Sequence, residues 1–155
     1  MADDTRIRNG EVTDVSLRQA SGALKIHSEG QGLYDITRET LAWLAHQRAT
    51  NGLLTLFCRH TSASLIVQEN ADPDVLRDLQ SFFRRLVGED RALYRHTMEG
   101  DDDMPAHIRS ALTAVQLSIP VAAGKLVLGA WQGIYLFEHR RGVLDRQIAL
   151  HYLGC

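Results

Sequence analysis

At 155 residues the chain suits one domain with a proper core, and 45% hydrophobic with 23% charged residues is the balance of an ordinary globular protein. A net charge of −2 gives no electrostatic reason to expect a nucleic-acid partner. No stretch approaches the length that spans a bilayer, the N-terminus lacks the apolar segment of a signal peptide, and Cys58 and Cys155 cannot build a disulfide framework, so a cytoplasmic protein is expected.

In chain order, residues 1–10 are polar and read as a loose segment ahead of a single domain. Residues 11–18 alternate in part, with Val15 and Leu17 on one face, and 23–27 alternate better, which predicts a hairpin between them. Gly30 and Gly32 mark a loop. Thr37 is positioned to cap a helix running through Trp43 to about Ala49, with Leu41, Leu44 and Ala45 inward and Asn51-Gly52 ending it. The apolar run 53–58 predicts a buried strand and 63–67 a second, joined by the polar group Arg59-His60-Thr61-Ser62.

Asp72-Pro73 announces the clearest helix, with Val75, Leu76, Leu79, Phe83 and Leu86 on one stripe. Pro105 predicts a further helix beginning close to it. The segments 116–121, 125–128, 134–138 and 147–152 have strand composition, with turns at Ala123-Gly124 and Arg141-Gly142. The tally is an α+β domain: a mainly antiparallel sheet folded into a sandwich or partial barrel, with about three helices.

The chemistry concentrates in HTMEGDDDMPAH at 96–107, two histidines and four carboxylates within twelve residues. A helix starting near Pro105 puts His107 in its first turn, where unpaired N–H groups and partial positive charge suit an anion. The neighbouring acids would repel that anion unless a cation stood between them. The competing reading is a solvated loop in which Asp103 only caps the helix.

Other polar groups stand around it. His60-Thr61-Ser62-Ala63-Ser64 sets an imidazole and hydroxyls at the mouth of a strand, for a phosphate or for local turn bonds. No G-x-S-x-G elbow surrounds either serine. Asn70 follows the same strand as ligand holder or turn residue. Trp131 and Gln132 lie between glycines, placed to stack on a flat ring or to fill a bulge. Glu138 and Arg140 should project to one side of a strand end, with His139 on the other.

In series these segments resemble the secondary thiamine-phosphate synthase (YjbQ-like) family. The matching pieces are HTSASL at 60–65, EN-x-DP at 69–73, H-x-x-E-G-x-D-D-M-P-x-H at 96–107, LG-x-WQGI at 128–134 and EHR at 138–140. Five motifs in order make a specific pattern. The chain departs from it at Gln68, Ala130 and Thr113-Ala114, none of which removes an ionisable group. The resemblance implies a homotrimer with its polar motifs near a subunit boundary. It also implies an activity: joining hydroxymethylpyrimidine diphosphate to a thiazole phosphate with release of pyrophosphate.

On the matching positions, His60, His96 and His107 are candidate ligands of a divalent metal, zinc by its taste for imidazole or magnesium by its use in diphosphate chemistry. Asp102 and Asp103 would position that metal and Glu138 would orient or shuttle a proton. Arg140, Ser62 and Ser64 would receive phosphate oxygens, and Asn70, Trp131 and Gln132 would hold substrate. A metal-dependent phosphohydrolase and a non-catalytic binding protein are the alternatives, since each needs the same pocket.

Overall fold

A computed structural model of the chain describes residues 15–155; the segment 1–10 and the first half of the strand expected at 11–18 lie outside the described residues. The elements run β1 (Arg18–Ser28), β2 (Gly32–Asp35), α1 (Thr37–His46), β3 (Gly52–Cys58), β4 (Ala63–Glu69), α2 (Pro73–Leu86), α3 (Asp103–Ala111), β5 (Gln116–Ala122), β6 (Lys125–Leu126), β7 (Gln132–Glu138) and β8 (Leu144–Gly154). A single 3₁₀ turn at Arg91–Leu93 precedes α3.

The strands form two antiparallel sheets, of order β1-β8-β3-β5-β6 and β2-β7-β4. Alternation in β8 shows how they meet. Arg146, Ile148, Leu150 and Tyr152 are buried while Asp145, Gln147 and Leu153 are exposed, the signature of a strand with one face on the core. That face packs with Leu54 and Leu56 of β3 and Ile119 and Val121 of β5 against Leu65 of β4 and Ile134 and Leu136 of β7. Leu44 of α1 closes one end at 0% exposure. Each such fully buried side chain contributes ~1.5–3 kcal/mol relative to an exposed one.

β7 differs from β8 because it is buried on both faces. Ile134 and Leu136 join the core between the sheets, whereas Phe137 meets Phe83 of α2 edge to face at 5.4 Å and His139 at 4.3 Å on the outer side. A run without polar alternation is what such a central, covered strand requires.

Several expectations change. Residues 23–27 belong to one long strand that begins at Arg18 and pairs along its length with β8, while most of the hairpin partner expected at 11–18 lies outside the described residues. β2 was not expected, and it exists because its four residues pair with the end of β7. Thr37 is the first helical residue of α1 rather than its cap. Asp35 accepts its N–H at 2.8 Å, and its hydroxyl receives the Ile134 N–H at 2.8 Å, so it ties the helix to β7. The helix stops at His46, and its buried residues are Thr40 and Leu44; Leu41 is 38% exposed and Ala45 is exposed. α2 is capped by Asp72 as its sequence says. Its apolar stripe is only half-buried, and Leu86 is 55% exposed.

Candidate functional site

The acidic stretch folds back on itself because α3 begins two residues earlier than Pro105. Asp103 is the first helical residue and Asp102 the position before it, where its side chain makes no cap bond. His107 therefore sits one turn along, on the face that carries Asp103. Asp103 is 2% exposed, and its Oδ2 lies 2.7 Å from His96 Nε2 and 3.3 Å from His107 Nε2. The donor atoms of His96, Asp103 and His107 all fall within 4.8 Å of one another.

Two of the three members, His107 and Asp103, are oriented from behind. His107 Nδ1 stands 2.9 Å from the Thr61 carbonyl, which only accepts, so Nδ1 carries the proton and Nε2 turns its lone pair towards the cluster. Asp103 Oδ1 is paired with Arg140 Nη1. The same guanidinium donates from Nε to Asp102 Oδ2 at 3.0 Å and from Nη2 to the Glu99 carbonyl at 2.8 Å. Burial alone would raise the Asp102 carboxyl, but the Arg141 N–H and Arg140 outweigh it and hold it below the ordinary range. Arg140 thus locks the acidic loop onto the end of β7.

Beside the cluster opens a cleft of about 810 Å³ lined by Phe57, Arg59, His60, Ser62, His107 and Arg146, among others. His60 shares this cleft with His107 but stands outside the metal-competent cluster. Its Nε2 accepts the Gln147 backbone N–H at 2.7 Å, so the neutral ring carries its proton on Nδ1. Burial first, then the Arg146 charge, lowers its pKa. In that state His60 offers the cleft a donor and no lone pair.

Beneath the cleft lies an ion pair that bridges the two sheets. Glu138 of β7, 0% exposed, accepts from Arg146 Nε at 2.6 Å, Ser28 Oγ at 2.8 Å and the Arg140 N–H at 2.9 Å. Burial pushes its carboxyl up, but these bonds prevail and keep it below the usual carboxylate range. Arg146 extends to Ser62 Oγ at 3.1 Å. Glu138 and Arg140 do not present one surface: Glu138 is sealed inside while Arg140 reaches the acidic loop.

Ser62 reaches the cleft, and Ser64 does not. Ser64 is 0% exposed, with its Oγ 2.9 Å from His139 Nε2 and 2.7 Å from Thr113 Oγ1. Asn70, Trp131 and Gln132 lie at the opposite end of the β4–β7 pair, whose register runs from Ala63↔Glu138 to Glu69↔Gln132. Six strand steps at about 3.3 Å each place them roughly 20 Å from Glu138. Trp131 is 68% exposed there.

Arg146, Ser28 and the Arg109–Glu89 pair did not stand out in the sequence. Arg146 had a usable signal, since it shares the inward register of Ile148, Leu150 and Tyr152. Arg109 falls on the buried face of α3 with Pro105 and Ala106. Glu89 and Ser28 carry no local signal.

Fold and site together define a two-sheet α+β protein with a histidine–aspartate cluster beside a basic cleft. The chain belongs to the UPF0047 protein YjbQ-like family, whose model matches residues 22–155. It is 50% identical over 139 residues to a UPF0047 protein of Synechocystis, covering 90% of this chain and 95% of that one. It is 45% identical over 118 residues to the UPF0047 protein YjbQ of Escherichia coli O157:H7, covering 76% and 85%. The crystal structure of a hypothetical protein from Aeropyrum pernix K1 superposes with a TM-score of 0.80 at 31% identity, over 88% of this chain and 99% of that one.

Proposed function

We propose that the chain is a cytoplasmic, metal-assisted transferase of phosphorylated metabolites, and that its reaction is the one the family resemblance implies. Hydroxymethylpyrimidine diphosphate loses pyrophosphate at its methylene carbon, and the nitrogen of a thiazole phosphate forms the new bond there. The observation that carries this reading is the convergence of His96, Asp103 and His107 beside a cleft lined by Arg59, His60 and Arg146. Two imidazoles and one carboxylate suit zinc better than magnesium, which prefers oxygen ligands. Once bound there, the ion would supply positive charge to the diphosphate as it departs.

The chain's own residues do the rest. His60 donates from Nδ1, and Arg59 and the Ser62 hydroxyl add donors to phosphate oxygens, where negative charge grows as the leaving group separates. Phe57, Ala111 and Val115 give the cleft an apolar wall for a heterocycle. Asp103, fixed by Arg140, holds both histidines in register. In a homotrimer, Asn70, Trp131 and Gln132 would serve a neighbouring chain's cleft, which their separation from their own favours.

The competing reading is a phosphohydrolase, favoured by a cluster of three protein donors that leaves positions for water. One experiment separates them. Purified protein with zinc and both substrates should yield thiamine phosphate and pyrophosphate in equal amounts, and His107→Ala should lose the activity. Phosphate release from either substrate alone would make the enzyme a hydrolase. Equal coupling rates in wild type and variant would remove the cluster from the reaction.

A further inference from the structure

A second cleft, of about 610 Å³, shares no lining residue with the histidine cluster. Its lining brings together three arginines from three parts of the chain: Arg84 of α2, Arg109 of α3 and Arg141 after β7. Glu29 and Glu89 accompany them, so the lining carries one more positive charge than negative. Elsewhere the protein is acidic on balance, with a net charge of −2.

The arrangement is built rather than accidental. Arg109 is 2% exposed, and its Nη2 is spent on the Val87 carbonyl at 2.7 Å and Glu89 Oε1 at 3.2 Å. Glu89 is spent in turn: Oε1 takes Arg109 and the Gln31 amide at 3.1 Å, and Oε2 takes Arg141. Arg84 uses only Nε, donated to Gln31 Oε1 at 3.0 Å. Its terminal N–H groups have no acceptor among the described residues. Gly30 lets the loop close over Arg141, with φ at +127° and a Cβ that would meet the Arg141 carbonyl at 3.0 Å.

Burial first, then the neighbouring Arg84 charge, lowers the Arg109 pKa, as expected where like charges are gathered. Two carboxylates, one of them already shared by Arg109 and Arg141, do not balance three guanidinium groups. We propose that this cleft is a second anion-binding site, and that it takes a phosphorylated small molecule through the guanidinium forks of Arg84 and Arg141 above the fixed base of Arg109 and Glu89. Planar forks match phosphate oxygens in pairs, and the volume is that of a metabolite-sized pocket. Arg141 also donates its backbone N–H to Asp102 Oδ2 at 2.9 Å, so an occupant would press on the loop that carries the histidine cluster.

The test uses inorganic phosphate and pyrophosphate as probes, in metal-free buffer at constant ionic strength, read by backbone amide NMR and calorimetry. The amides of Gly30 and Gln31 should shift saturably in the wild-type protein. Arg84→Ala with Arg141→Ala, both at exposed positions, should weaken that response about a hundredfold, since each charge-assisted contact is worth about tenfold. His107→Ala should leave it unchanged, because His107 belongs to the other cleft. Should the pair unfold the chain, Arg84→Ala alone carries the test at about tenfold. No saturable shift at Gly30 and Gln31, or the same affinity in the arginine variants, would overturn the proposal.

Discussion

Gln147 donates its backbone N–H to Nε2 of His60 across 2.7 Å. That bond ties the ring to the backbone of β8 just past the end of its pairing with β3, and leaves only a protonated Nδ1 for the cleft. Two consequences separate His60 from His107. The ¹⁵N signals of His60 should show the Nδ1–H form at neutral pH, and its titration should fall below the ordinary imidazole range, in line with its burial and with Arg146. Zinc affinity should survive His60→Ala and collapse in His107→Ala. A loss of zinc in both variants would place His60 among the ligands after all.

Metal binding should be visible as stability. A ligand bound to the folded state alone at a hundred times its Kd adds ~2.7 kcal/mol. Thermal unfolding of the wild-type protein should therefore shift upward with zinc and return on adding a chelator. Asp103→Asn keeps the shape of the side chain while removing its charge from between His96 and His107. Its melting temperature should not respond to zinc at concentrations that saturate the wild type.

The Glu138–Arg146 pair is the costliest polar contact to break. Glu138 is 0% exposed and Arg146 5%, so removing either partner strands a charge in the core. Glu138→Gln and Arg146→Met should each cost ~3–5 kcal/mol in urea unfolding, and the double variant less than the sum. Additive losses would mean that the two side chains do not act as a pair.

These relationships also mark what could be read from the residues and what could not. The strand sequences of β3, β4, β7 and β8 and the Asp72-Pro73 start of α2 announce themselves, because period and capping are local properties. β2 escaped because four residues beside Gly30 acquire strand geometry only by pairing with β7. His96, Asp103 and His107 are close in sequence, and one loop and one helical turn bring their donor atoms together. Clustering in sequence misplaced Ser64 and Glu138, whose burial depends on Thr113, His139 and Arg146 arriving from elsewhere. Asn70 and Trp131 adjoin each other in space yet lie a full strand length from Glu138, a separation that only the register reveals.

His139 is one source of pH dependence in the fold. The ring is 1% exposed, its Nδ1 has no partner among the described residues, and burial, aided by the Arg109 charge, lowers its pKa to about 3. The unfolded chain binds this proton near pH 6.5, its ordinary value. Between pH 6.5 and about 3 the unfolded state therefore holds more protons than the folded one, and stability must fall as pH falls. The slope approaches ~1.4 kcal/mol per pH unit. Over pH 6.5 to 4.5 this amounts to roughly 2 kcal/mol, in a window above that in which Glu138 and Asp102 lose their stabilising ionisation. His139→Gln, which keeps an amide beside Ser64 but cannot titrate, should flatten the urea-unfolding profile across this window by about that amount. Parallel profiles for wild type and variant would mean that His139 takes up its proton without unfolding, through a partner supplied as the site opens.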